Sequence, residues 1–168
     1  MTPRFRRKRL IILAALLIPV LLISAELLVI DTRPKIASSP SGEYTSFTVN
    51  GKTYKFTYVA TNSTELAKGL MGRKVTSSTF ELFVFPNAGF YTFWMYGMNA
   101  SLDIMWLYTA GGSNTGTFVY IVHDVPPCAI SIDCAYYESN SSANYVIEAQ
   151  AGFAAAHDIT AGTPVALN

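Results

Sequence analysis

Apolar positions are most concentrated near the start of the chain. Residues 10–30 read LIILAALLIPVLLISAELLVI, interrupted only by Pro19, Ser24 and Glu26. As a helix, such a run spans roughly 31 Å, close to the thickness of a bilayer's hydrocarbon core. It predicts a transmembrane helix. Residues 31–43 are polar and carry Pro34, Pro40 and Gly42 among several serines, the composition of a linker.

From residue 44 onward the pattern shifts to short periods. Phe47, Val49, Tyr54, Phe56 and Tyr58 alternate with polar residues around Asn50-Gly51, which predicts a β-hairpin. TNSTELAKGLMGR (61–73) predicts one short helix: Asn62 and Glu65 have capping-box spacing, Leu66 and Leu70 share a face, and Gly72 offers a stop. Aromatic and β-branched runs at 80–85, 90–96, 102–108, 117–122 and 145–149 predict strands. A helical turn in AGFAAAHD precedes a last strand near 164–167. Short connections between neighbouring strands imply mostly antiparallel pairing. The expected class is α+β, dominated by β: a compact, mostly antiparallel, barrel-like sheet with one or two short helices, plus an N-terminal transmembrane helix. No internal repeat or second domain is evident.

Charge orients this arrangement. Arg4, Arg6, Arg7, Lys8 and Arg9 hold five of the twelve basic residues and abut the apolar run. Positive charge stays on the cytoplasmic side, so residues 1–9 form a cytoplasmic stub and 10–30 a signal anchor. Residues 31–43 link the anchor to an extracytoplasmic domain over 44–168. The expected location is thus the cell membrane, single-pass, with the lipid bilayer as partner of residues 10–30. A cleaved signal peptide and a secreted product is the alternative: Ser24-Ala25 resembles a cleavage site, but Ile23 fits it poorly and the run continues past Glu26. Both readings export the domain. Beyond residue 9, seven basic residues face eleven acidic ones, a net of −4, which argues against nucleic acid as a partner.

Cys128 and Cys134 are the only cysteines. No second Cys or His pair stands at zinc spacing, and outside the cytoplasm a disulfide is the simple expectation. Asn62, Asn99 and Asn140 open Asn-X-Ser/Thr sequons, glycosylation candidates wherever the machinery exists. Asn140, in ESNSSAN, is the best of them; Asn62 is better explained as a helix cap.

Five blocks occur in an order that resembles a known family: ELAKGLMGR, ELFVF, FWMYGMNASLDIMWL, the two cysteines after VPP, and NYVIEAQAGFAAAHDITAG. The most specific elements are Gly69-Leu70-Met71 with Arg73, Phe93-Trp94-Met95, Leu102-Asp103, and Tyr145 to Glu148 followed by Gly152. Together they resemble the family called domain of unknown function 192, over roughly residues 47–167. The resemblance implies a compact β-rich, barrel-like domain with a short helix, often exported, and no established reaction. The chain departs from the family pattern at Phe80-Glu81 (usually Gly-Met), at Tyr96-Gly97-Met98 (usually Lys-Asn-Thr) and at Ser101 (usually Pro).

Asp103 and Glu148 are acidic residues set in apolar strands. A buried carboxylate is costly unless paired, so such positions commonly have a reason. As a functional pair they would flank a cleft as acid and base, about 5–10 Å apart in a hydrolase of glycosidase type, or bind a sugar or cation. As structural residues, Asp103 would cap a turn and Glu148 would pair with Arg73, and this is the stronger reading. Met95-X-X-Met98 with His123 offers soft ligands for copper(I), but sulfur–aromatic packing explains these methionines more simply. Trp94 and Trp106 are candidate stacking platforms. Classical catalytic motifs are absent, and no cofactor or metal is expected. The leading expectation is a non-enzymatic extracytoplasmic domain that binds a small ligand, a glycan or an envelope partner. Arg73, Trp94, Met95, Asp103 and Glu148 are its candidate ligand-binding residues. A hydrolase using Asp103 and Glu148 and a structural subunit of a surface assembly are the alternatives.

Overall fold

The computed structural model describes residues 44–168. The predicted stub, membrane segment and linker lie outside the described residues. Among the described residues, no helix is long and apolar enough to cross a membrane.

The domain begins with the hairpin that alternation predicts, β1 (Ser46–Val49) and β2 (Lys52–Lys55). Asn50 and Gly51 both take positive φ, 48° and 74°, as a tight hairpin turn with the right twist requires. A three-residue strand β3 (Tyr58–Ala60) leads into helix α1 (Ser63–Lys68). Its capping box is complete: the Asn62 side chain accepts from the Thr64 and Glu65 amides, and Glu65 accepts from the Asn62 amide. The helix stops at Gly69 rather than running on to Gly72, because Gly69 turns to φ 49°, ψ −142°, a conformation open to glycine alone.

The remaining elements are β4 (Phe80–Gly89), β5 (Thr92–Trp94), β6 (Leu102–Thr109), β7 (Thr115–Val125), β8 (Tyr136–Glu138), β9 (Ala143–Gln150), α2 (Phe153–Ala156) and β10 (Pro164–Leu167). Eight strands form one sheet in the order β2-β1-β10-β7-β6-β9-β4-β3. Every pairing in it is antiparallel except β3 with β4, which makes the sheet mixed. The residues read as one strand over 90–96 split instead. Only β5 is extended, and it pairs with β8 as a separate two-stranded ribbon.

The barrel expectation needs correction, because the sheet does not close. Its edge strands, β2 and β3, are joined by only Phe56 and Thr57, and that link does not turn back into a hairpin. The Phe56 amide donates to the carbonyl of Thr45 and the Thr57 amide to that of Phe80, so the chain runs extended from one edge to the other. Three residue steps span at most about 10 Å, so the sheet is strongly curled, yet the gap is bridged covalently rather than by a ladder.

Alternation along the strands buries both faces. Phe47, Leu82, Met105, Tyr145, Ile147 and Val165 belong to one core cluster. Leu70, Phe83, Ile104, Trp106 and Val146 belong to a second, which also takes in Phe93 and Met95 from the ribbon region. The ribbon is anchored near Cys128, which is joined to Cys134 by a disulfide, as expected. The Cys128 amide donates to the Met95 carbonyl, and its own carbonyl accepts from the Gly97 amide. The bridge closes a short loop, so its reduction should lower the unfolding free energy by about 2 kcal/mol, read as an earlier urea midpoint.

Candidate functional site

The second face carries the unusual chemistry. On neighbouring strands β4 and β9, Glu81 stands directly opposite Glu148. Across the next ladders, Glu81 neighbours Tyr58 of β3 and Glu148 neighbours Ile104 of β6. A row Tyr58–Glu81–Glu148–Ile104 thus crosses four strands, with Phe83 and Val146 the next pair along the same face. Both carboxylates are almost inaccessible, 1% exposed for Glu81 and 4% for Glu148. An Oε2 atom of each has no hydrogen-bond partner among the described residues.

Buried carboxyls in that position resist ionisation. Burial first, and the neighbouring Glu81 second, push Glu148 up to about 8. Burial also pushes Glu81 up to about 7, against the pull of Arg73; Glu65 adds a smaller push and Lys68 a smaller pull. Two like charges on opposed residues cannot ionise independently, so the pair titrates as a unit. Near neutral pH it holds at least one proton and can both donate and accept a hydrogen bond.

The cover over Glu148 comes from the turn after α1. Gly69 passes so close that a side-chain carbon there would lie 3.2 Å from the Phe83 ring and 3.7 Å from Glu148 Oε2. Beside this turn opens a cleft of about 200 Å³ with Glu148 among its lining residues. Leu70 and Phe83 line it as well. One wall is the stacked pair Phe85 and Tyr91, ring centroids 3.5 Å apart. Trp94, Tyr96 and Met98 line the cleft from the ribbon side, and Lys68 from α1. Trp94 is 36% exposed and lies parallel to Tyr136 of β8 at 6.0 Å.

Some groupings expected from the sequence hold and others do not. Asp103 and Glu148 do not share a cleft. Asp103 pairs with Ala149 and Ile104 with Glu148, so alternation sends Asp103 to the opposite face of the sheet. There its two oxygens accept from the backbone amides of Asp124 (3.0 Å) and Ala154 (2.8 Å), a structural clamp that removes it from any pair with Glu148. The expected Glu148–Arg73 ion pair is also absent. Arg73 lies over the Tyr58 ring, 3.5 Å from its centroid, and its charge acts on Glu81. Its Nη1 is buried without a hydrogen-bond partner among the described residues.

Trp94 and Met98 reach the cleft, but Met95 is buried in the core and Trp106 is wholly buried, donating its indole N–H to the Tyr91 carbonyl. His123 is exposed and lines a different depression, beside Asp103, so no histidine joins the methionines. Asn99 and Asn140 are exposed, while the Asn62 side chain serves as the helix cap through its Oδ1. Among the described residues no group of three or more His, Cys, Asp or Glu could hold a metal ion.

Sequence reasoning missed Glu81 as a site residue, noting it only as a departure from the family pattern. The signal was present: an acidic residue two positions before Phe83 in an apolar strand, the same feature that drew attention to Glu148. Three residues that depart from that pattern, Glu81, Tyr96 and Met98, belong to the region around this cleft.

No curated protein matches the chain. A crystal structure of a candidate transcription regulator from Sinorhizobium meliloti 1021 is similar with a TM-score of 0.60 and 22% identity, covering 73% of this chain and 90% of that one. A protein of unknown function from Novosphingobium aromaticivorans DSM 12444 gives a TM-score of 0.60 and 22% identity, covering 79% and 91%. At that identity the likeness speaks for the fold alone. A family model, DUF192, with the description Uncharacterized ACR, matches residues 45–167. The chain therefore belongs to the domain of unknown function 192 family.

Proposed function

We propose that this chain is a membrane-anchored, extracytoplasmic domain that binds a small ligand in the cleft over Glu148. One observation carries the binding site: a buried carboxyl oxygen without a hydrogen-bond partner among the described residues, on a residue lining an aromatic-walled cleft. Folding leaves such a group unsatisfied only at a cost, and a ligand that reaches it recovers the missing hydrogen bond. The anchored topology rests on the five basic residues before the apolar run and is supported by the disulfide, which persists in oxidising compartments. The acidic balance beyond residue 9 runs against a role in transcription such as the one named for the Sinorhizobium protein.

An envelope protein as the partner is a second reading. It is favoured by exposed apolar side chains near the ribbon: Ile132 at 89%, Tyr136 at 69% and Ile130 at 58%. Assembly through sheet edges has less support, because β2 carries exposed Lys52 and Lys55 and β3 is three residues long.

The test is a thermal-stability screen of the full-length protein against sugars, metabolites and metal salts. A compound at a hundredfold excess over its dissociation constant should stabilise the wild type by about 2.7 kcal/mol. The shift should vanish in Glu148→Leu, which fills the base of the cleft. A shift that survives this substitution places binding elsewhere and rejects the site.

A further inference from the structure

We propose that the ligand of this cleft carries a protonated amine, which seats on Glu148 between aromatic walls. The proposal rests on the ligand-binding reading above and names the chemistry it would serve.

Charge accounting around the pair favours a cation. Two carboxylates face each other on β4 and β9, and the half-buried Arg73 guanidinium, one Nη of which is inaccessible, lies near them. Arg73 lies over Tyr58, the residue beside Glu81 on the side away from Glu148, so its charge is directed at Glu81. The other charged groups that reach the pair, Glu65 and Lys68 of α1, also act on Glu81. Glu148 shares the cleft lining with Lys68, whose charge acts on Glu81; Glu148 itself is left with the second carboxylate beside it.

The walls favour an ammonium over a bare metal ion. Phe85, Tyr91, Phe93, Trp94 and Tyr96 are among the residues lining the cleft, and aromatic faces attract a desolvated ammonium through their quadrupoles. A hard divalent cation instead needs six or more oxygen ligands, and the cleft offers one carboxylate backed by another. The volume, about 200 Å³, equals roughly six waters, which suits a small alkylammonium head. A primary ammonium brings three N–H donors, and the buried Oε2 atom lacks one.

Seating the cation requires the carboxyl to be ionised, so binding below the carboxyl's titration releases a proton to solvent. With Glu148 held up to about 8, affinity should climb with pH between 6 and 7.5, approaching tenfold per unit, and level off above 8.

The experiment is calorimetric titration of the full-length protein with n-butylammonium chloride, with n-butanol, glucose and calcium chloride as comparison probes, in two buffers of different ionisation heat. Butylammonium should bind at least tenfold more tightly than butanol, with close to one proton released per molecule bound at pH 6.5. Glu148→Gln should cost tenfold or more in affinity and abolish the proton release. Trp94→Ala, a truncation at the exposed rim that leaves the core intact, should weaken butylammonium several-fold.

If butanol or glucose binds as well as butylammonium, or if calcium binds and the amine does not, the amine class is overturned while the ligand cleft stands. If butylammonium binds without pH dependence or without loss in Glu148→Gln, the assignment to Glu148 is overturned. Binding by none of the four probes overturns the amine proposal. In that case the stability screen above decides on the cleft separately.

Discussion

Replacing Glu148 with glutamine should raise the melting temperature by roughly 12–16 °C at pH 8 and change it little at pH 5. The reason is the difference between a carboxyl in water and the same carboxyl under Gly69 and beside Glu81. In the unfolded chain Glu148 ionises in the ordinary range, near 4.5; in the folded domain burial and Glu81 hold the proton on to about 8. A folded-state value above the unfolded one means that stability is fully present below pH 4.5. It is then lost progressively as pH rises towards 8, where the loss levels off. Between pH 5 and pH 8 that difference is worth on the order of 3–4 kcal/mol for Glu148 alone. For a domain of this size, 1 kcal/mol moves the melting temperature by about 4 °C. Glutamine keeps the shape and removes the proton equilibrium, so the variant's profile over this range should be flatter, with only the Glu81 contribution left. Calorimetric melts of wild type and variant at half-unit pH intervals would check this. Parallel profiles would mean that Glu148 ionises as easily folded as unfolded.

Asp103→Ala should have the second large effect and the opposite sign: a loss of about 3–5 kcal/mol of unfolding free energy. Asp103 is wholly buried, and its two oxygens satisfy the Asp124 and Ala154 amides. Alanine would strand both donors and leave a void next to the start of α2. Asp124 sits at φ 48° within β7, where the β6–β7 register shifts, a backbone position that the clamp helps to hold. Asp103→Asn keeps one acceptor and should fall between wild type and alanine. Urea denaturation at pH 6 gives the comparison. A loss below 1 kcal/mol for Asp103→Ala would show that the clamp is not what holds this corner. The two acidic residues that look alike in the sequence should therefore respond in opposite directions when neutralised.

That contrast shows what was legible in the chain. Local patterns were readable wherever one physical cause dominated. Asn50-Gly51 needs two positive φ values and makes the hairpin; Asn62 with Glu65 makes the cap; Cys128 and Cys134 had only each other. Asp103 and Glu148 were both recognisable as carboxyls in apolar strands, but their grouping was not. It depends on the β6–β9 register, which sets Ile104 rather than Asp103 beside Glu148. A shift of one residue would have reversed the assignment. Glu81 was overlooked because its importance comes from a partner 67 positions away, and nothing local to FELFVF points to β9. The parallel pairing of β3 with β4 was hidden for a similar reason. Phe56 to Tyr58 read as the continuation of the hairpin's second strand, yet after the Phe56 amide meets Thr45 the Thr57 amide finds Phe80 instead. The split of residues 90–96 into a short strand and a bridge to Cys128 is likewise a tertiary choice, made by the disulfide loop that docks there.

The central claim is that Glu148 is a buried carboxyl without a compensating charge, held for something that enters the cleft. NMR titration of the side-chain carboxyl carbons in glutamate-labelled full-length protein tests it most directly, with Glu148→Gln and Glu81→Gln to assign the signals. The expected result is a resonance, missing in Glu148→Gln, that titrates near pH 8 and moves downward when Glu81 is neutralised. A Glu148 signal that titrates between pH 4 and 5, and ignores Glu81→Gln, would contradict the account.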